Sequence, residues 1–91
     1  MFKFEWDEQK AASNLQKHRV SFDEAVSVFA DDLALTFADS DHFESEERSR
    51  TYGNSNRGRL LVLVHTERRH NIRIISARKA TRYEKSIYDR G

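Results

Sequence analysis

Leu60 to Val64 is the longest uninterrupted apolar run in the chain, and a second apolar run follows close behind it. Leu60-Leu61-Val62-Leu63-Val64-His65-Thr66 reads as a mostly buried strand. Glu67 to His70 makes a charged turn, and Asn71-Ile72-Arg73-Ile74-Ile75-Ser76 resumes as a strand with Ile72 and Ile74 inward. Buried strands must pair their backbone groups, and two of them joined by so short a turn do so as a hairpin. The apolar run is far too short to cross a bilayer, which takes about 20 residues.

The rest of the chain arranges itself around that hairpin. Phe2, Phe4 and Trp6 alternate with Lys3 and Glu5, as in a short strand with one apolar face. Asp7 caps a helix to about Arg19, with Ala11, Leu15 and His18 on one side. Ser21-Phe22-Asp23-Glu24 has the capping-box pattern and opens a second helix to Ala30, with Phe22, Ala25, Val26 and Phe29 as its stripe. Leu33 to Phe37 reads as a strand, and Asp39 to Glu47 as an acidic loop. Arg48 to Gly53 is a further strand, followed by a turn over Asn54 to Gly58. Thr81-Arg82-Tyr83-Glu84 repeats the capping box and opens a last helix, with Tyr83, Ile87 and Tyr88 on its packing side.

The resulting order is β-α-α-β-β-β-β-α. It predicts an α+β fold, an antiparallel sheet covered on one face by helices. A chain of 91 residues fits one domain, 1–91. It has no cysteine, which suits a reducing compartment. The first residues show no basic segment leading into an apolar one, so no signal peptide is expected. These features predict a soluble, cytoplasmic protein without a membrane association.

The net charge of +1 conceals an asymmetry. Residues 1–47 hold 4 Lys/Arg against 12 Asp/Glu, a balance of −8, whereas residues 48–91 hold 12 against 3, a balance of +9. Such separation suggests two faces or two partners, an acidic one for the second half. Alternatively, the halves interleave in space and cancel locally. The basic half is dominated by arginine, which suits planar, two-pronged contacts with phosphate. The segment from Arg68 to Arg82 therefore points to RNA.

Polar chemistry gathers around the hairpin. By alternation Leu61, Leu63, His65 and Glu67 share a strand face, and His65, Glu67 and Arg73 would approach one another if that face is the open one. A solvated hairpin tip is the ordinary alternative. Ser76-Ala77-Arg78-Lys79-Ala80 joins a buried strand to the last helix, whose N-terminus offers free N–H groups to a phosphate. Arg78, Lys79 and Arg82 oppose the helix dipole there unless an anion is bound or an acidic loop such as Glu44 to Glu47 receives them. His18 is either a helix-end histidine bonding the last carbonyls or a catalytic group. The four histidines have no metal-ligand spacing, and no glycine-rich phosphate loop or serine-nucleophile motif is present. No cofactor is expected.

Phe4-Glu5-Trp6-Asp7, Asn14 to Ala25, Leu60 to Glu67, Ile72 to Ala80 and Arg82-Tyr83-Glu84 together resemble the BrnT family of bacterial toxins. The resemblance runs over nearly the whole chain. It implies a RelE-like fold and a type II toxin acting as a metal-independent ribonuclease that arrests translation. It also implies a hetero-oligomer with an antitoxin, BrnA, whose DNA-binding domain brings the complex to its operator. Arg73, Arg78, Arg82, Glu67 and His18 match the family's polar positions. The acidic loop and Tyr83 depart from its more basic pattern.

RNA can be cut without a metal by its own 2′-OH, given a base, an acid and cations on the phosphate. Each proton transfer contributes roughly 10²–10⁴-fold. On this reading Glu67 is the base, with His65 or His18 as substitutes, and Arg73 and Arg78 hold the phosphate. Arg82 holds the backbone or stands in for the acid. Lys79 binds RNA, and Tyr83 stacks on a base. The competing reading is a module that binds nucleic acid or a partner protein without cutting.

Overall fold

The computed structural model describes residues 3–39 and 47–91. Its elements are β1 (Lys3–Glu5), α1 (Glu8–His18), α2 (Phe22–Val26) continued by a 3-10 turn (Ser27–Ala30), β2 (Leu35–Ala38), β3 (Ser49–Asn54), β4 (Leu60–Arg68), β5 (Asn71–Lys79) and α3 (Arg82–Arg90). This is the α+β order expected from the sequence. The acidic loop lies, apart from its end residues Asp39 and Glu47, outside the described residues, as does Phe2.

The five strands form one sheet in the order β1-β5-β4-β3-β2. Its pairs are antiparallel except β1 with β5, which run parallel. The sheet is therefore mixed. β1 feeds directly into α1, and α1 is pinned to β5 by Asn14, so β1 runs alongside β5. The buried Asn14 amide donates to the carbonyls of Val20 (2.9 Å) and Ala77 (2.8 Å) and accepts from the Ala77 N–H (3.1 Å). Asn14 takes the inward place expected for Leu15, which is 48% exposed.

The central hairpin is tighter than its composition suggests. Arg68 still pairs with Asn71, so only Arg69 and His70 turn. Both have left-handed backbones, φ 51° and 71°. That is the geometry whose twist matches the flanking strands.

Val20, Phe22, Ala25 and Val28 meet Leu61, Leu63, Ile74 and Ala77 in the core between α1, α2 and one face of the sheet. Trp6 sets its ring edge-on to Phe22, centroids 5.9 Å apart. Sequence alone suggested that all helices cover one face, but α3 reaches the other. Its Glu84 bonds Arg78 there, and its Tyr88 hydroxyl donates to Asp31 (2.6 Å) and accepts from the Asn54 amide (3.1 Å). Tyr83, expected on the packing side of α3, points outward at 71% exposure, and Glu84 is buried in its stead.

The capping box at the start of α2 forms by half. Ser21 Oγ accepts the Glu24 N–H at 3.0 Å, but the Glu24 carboxylate turns to the β3–β4 turn. There it accepts from Ser55 Oγ (2.7 Å) and Arg59 Nε (2.9 Å) and pairs with Arg59 Nη2. Glu5–Arg73, Glu24–Arg59 and Asp39–Arg50 thus each join the acidic half of the chain to the basic half. In the strand order β1 and β2 flank the three strands of the basic half, so among the described residues the two halves meet at both edges of that block. No helix among the described residues is long and apolar enough to cross a membrane.

Candidate nucleic-acid interface

Alternation along β4 and β5 decides which side of the sheet each polar residue occupies. Val64 pairs with Ser76 and His65 with Ile74, leaving Ile75 as an extra residue in β5. Such a bulge reverses the alternation beyond it. Ile72, Ile74, Ala77 and Lys79 therefore share the face covered by α1 and α2. Arg73, Ser76 and Arg78 share the opposite face, beside Thr66, Val64 and Val62 of β4.

The sheet thus splits the residues singled out from the sequence. Glu67 pairs with Ile72, and Arg73 with Thr66, so Glu67 and Arg73 project to opposite sides. His65 lies on the side of Glu67, not of Arg73. The cross-hairpin meeting of His65, Glu67 and Arg73 does not form, because adjacent strand positions alternate between faces. His65 is buried, with Nε2 2.7 Å from Thr51 Oγ1 and its ring edge-on to Phe29 at 5.1 Å. Burial lowers its pKa, which favours the neutral ring. Lys79 pairs with Leu61 on that helix-covered side, and His18 ends α1, exposed, on the same side.

On the other face three arginines are held by carboxylates. Arg73 Nη1 donates to Glu5 Oε2 at 2.8 Å. Asn71 first, and Arg73 after it, hold the Glu5 carboxyl below its usual range. Arg78 grips Glu84 with two parallel bonds, Nη1–Oε1 at 2.7 Å and Nη2–Oε2 at 2.9 Å. That fork is the main reason the Glu84 carboxyl falls to about 2. Arg50 bonds Asp39 at 3.1 Å, and the Tyr52 oxygen, first, together with Asp39 raises the Arg50 pKa.

Register brings these groups into rows. Leu35, Tyr52, Val62 and Arg78 run across four strands, and Phe37, Arg50, Val64 and Ser76 form the neighbouring row. Phe37 stands edge-on to Tyr52, ring centroids 5.6 Å apart, and is 46% exposed. In the first turn of α3, beside the Glu84 that holds Arg78, Arg82 and Tyr83 are both exposed. A sheet face with arginines at 50, 73 and 78 and aromatic rings beside them can take up phosphates and stack bases.

The N-terminus of α3, read from the sequence as open to a phosphate, is closed. Thr81 Oγ1 accepts the Glu84 N–H (3.2 Å), and Glu84 Oε1 accepts the Thr81 N–H (2.8 Å). The anion at this helix end is the protein's own Glu84. Sequence reading passed over Arg50 and Tyr52, although their i, i+2 spacing in the strand put them on one face. It did not show that this face continues into that of Arg78, since register across three strands is a long-range property. No group of three His, Cys, Asp or Glu side chains among the described residues is arranged to hold a metal.

The model of the family described as "Ribonuclease toxin, BrnT, of type II toxin-antitoxin system" matches residues 6–84. The crystal structure of the Brucella abortus ribonuclease toxin BrnT shares the fold, with a TM-score of 0.69 at 21% sequence identity, covering 90% of this chain and 100% of that one. No curated protein matches the sequence. With four-fifths and more of its length matched by that model and its α+β architecture shared with a solved member, the chain belongs to the BrnT family of ribonuclease toxins of type II toxin–antitoxin systems.

Proposed function

We propose that this BrnT-family toxin cuts RNA without a metal ion, on the sheet face that carries Arg50, Arg73 and Arg78, and so arrests translation in the cytoplasm. The observation that carries this reading is the projection of Arg73 and Arg78 from one face, with Arg82 and Tyr83 exposed in the helix turn whose Glu84 holds Arg78. In the cleavage the RNA's 2′-OH gives its proton to water as its oxygen bonds to the adjacent phosphorus, the P–O5′ bond breaks to leave a 2′,3′-cyclic phosphate, and the departing 5′ oxygen takes a proton from water. Charge grows on the phosphate oxygens in the transition state, and preorganised cations stabilise it there. Arg73 and Arg78 supply that charge, Arg82 holds the backbone, and Tyr83 stacks on a base. Glu67, His65, His18 and Lys79 lie on the other side of the sheet, so the roles first given to them do not combine with these arginines at one phosphate.

The same arginines suit an acidic segment of an antitoxin, and the partner proposed is of the BrnA type, with the DNA-binding domain belonging to it. The test is cleavage of a defined messenger RNA, with and without ribosomes, by the purified protein in EDTA. Cleavage is expected to persist in EDTA and to stop where a single 2′-deoxy nucleotide replaces the residue 5′ of the cut. Cutting of the deoxy-substituted site, or loss of cutting in EDTA, would refute the mechanism. Binding without any cleavage would favour the module that only binds.

A further inference from the structure

A glutamate that completes a capping box ordinarily sits at the surface, since the cap needs only one of its oxygens. Glu84 is 7% exposed and uses both. Oε1 accepts from the Thr81 N–H and from Arg78 Nη1, while Oε2 accepts from Arg78 Nη2 at 2.9 Å. The first turn of α3 is thereby bolted to an arginine of β5. The fork sets the plane of the guanidinium as well as its position. Yet the Arg78 side chain stays 38% exposed, so a ligand on the sheet face can still reach it.

We infer that Glu84 is the positioning residue of Arg78, using the capped N-terminus of α3 as a rigid mount to hold the guanidinium ready for the phosphate. This rests on the proposal that Arg78 faces the RNA. A free arginine must give up rotamer freedom each time it meets a phosphate. Here that ordering is complete before substrate arrives, and a preorganised cation is most effective as charge develops. The pair also keeps Arg78 firmly charged, because the Glu84 carboxylate raises its pKa. A purely structural alternative would make the fork a tie between β5 and α3 with no consequence for cleavage.

The two are separated by a double-mutant cycle on the full-length protein, with cleavage of a defined messenger RNA as readout. Glu84→Gln keeps an oxygen for the Thr81 N–H but turns an amide toward Arg78. It is expected to lower kcat about 10- to 100-fold, the scale of a misplaced catalytic group. KM should change less, and far-UV circular dichroism should be unaltered. Adding Glu84→Gln to Arg78→Ala should cause no further loss, since Glu84 acts through Arg78.

Wild-type kcat in Glu84→Gln alongside an inactive Arg78→Ala overturns the inference and leaves the site standing. So does a double variant whose loss is the product of the two single losses. Wild-type cleavage by Arg78→Ala overturns the site itself. If Glu84→Gln does not fold, Glu84→Asp replaces it, keeping the charge but drawing it back by one methylene, and an undiminished kcat in that variant overturns the inference.

Discussion

Arg73 and Arg78 stand an odd number of positions apart on β5 and yet project from the same face of the sheet. Strict alternation would put them on opposite faces. The extra residue Ile75 reverses the pattern between them, and it also turns both Ile74 and Ala77 into the core. If this shared face holds the phosphate, the two faces of the hairpin differ in their response to mutation. Arg78→Ala and Arg73→Ala should each lower the RNA cleavage rate by about 10²–10³-fold, as loss of a transition-state donor does. Glu67→Ala, on the other side, should remain within about threefold of the starting rate, in keeping with an exposed residue apart from the chemistry. Cleavage rates of the purified variants decide it.

Acid should weaken the fold through Glu84. Its carboxyl falls from 4.5 to about 2 in the folded protein, chiefly through the Arg78 fork. The unfolded chain therefore binds more protons as the pH drops, and acid favours unfolding. The stabilisation is complete above pH 4.5 and is lost as the pH falls through about 2. It amounts to about 3 kcal/mol at neutral pH. Denaturant melts between pH 6 and pH 2 should show the decline, with a shallower slope for Glu84→Gln.

Asn14→Ala should cost roughly 2–4 kcal/mol, because it leaves the buried N–H and C=O of Ala77 without their side-chain partner. The midpoint of urea unfolding measures it. A loss under about 1 kcal/mol would mean that α1 is held to β5 by its apolar contacts alone.

Gly53 is a packing glycine rather than a turn glycine. A Cβ built on it would meet Val28 Cγ1 at 2.6 Å and Ala34 Cβ at 3.1 Å. Gly53→Ala should therefore destabilise the protein by about 1–3 kcal/mol, the usual cost of overpacking. Thermal melting checks this, and an unchanged midpoint would show that the 3-10 turn yields to the added methyl.

Tyr83→Ala tests stacking without disturbing the fold, since its side chain is 71% exposed. RNA affinity should drop by about 1–3 kcal/mol for one lost stack. The melting temperature should stay put. Fluorescence anisotropy with single-stranded RNA gives the affinity, and equal binding by the variant would remove Tyr83 from the interface.

Much of the molecule is legible in the residues themselves. The apolar runs at Leu60–Val64 and Ile72–Ile75 announce the hairpin, and Asp7, Ser21 and Thr81 mark the helix starts where the structure has them as N-caps. The family resemblance, too, rests on local segments and agrees with the matched family. All of these depend on neighbours within a few positions, which chain geometry ties together directly.

What the sequence could not decide was which polar groups share a face. Glu67, His65 and Arg73 look like one cluster in the chain, and the sheet separates them. Arg73 and Arg78 look opposed, and the Ile75 bulge unites them. Arg50, Tyr52, Glu5 and Glu84 complete the arginine face from distant strands and from α3. The amino-acid order determined the elements, their caps and the family. Only the tertiary structure decided which side chains share a face, because the side on which a strand residue emerges depends on register and bulges, and these are set by packing across the whole sheet.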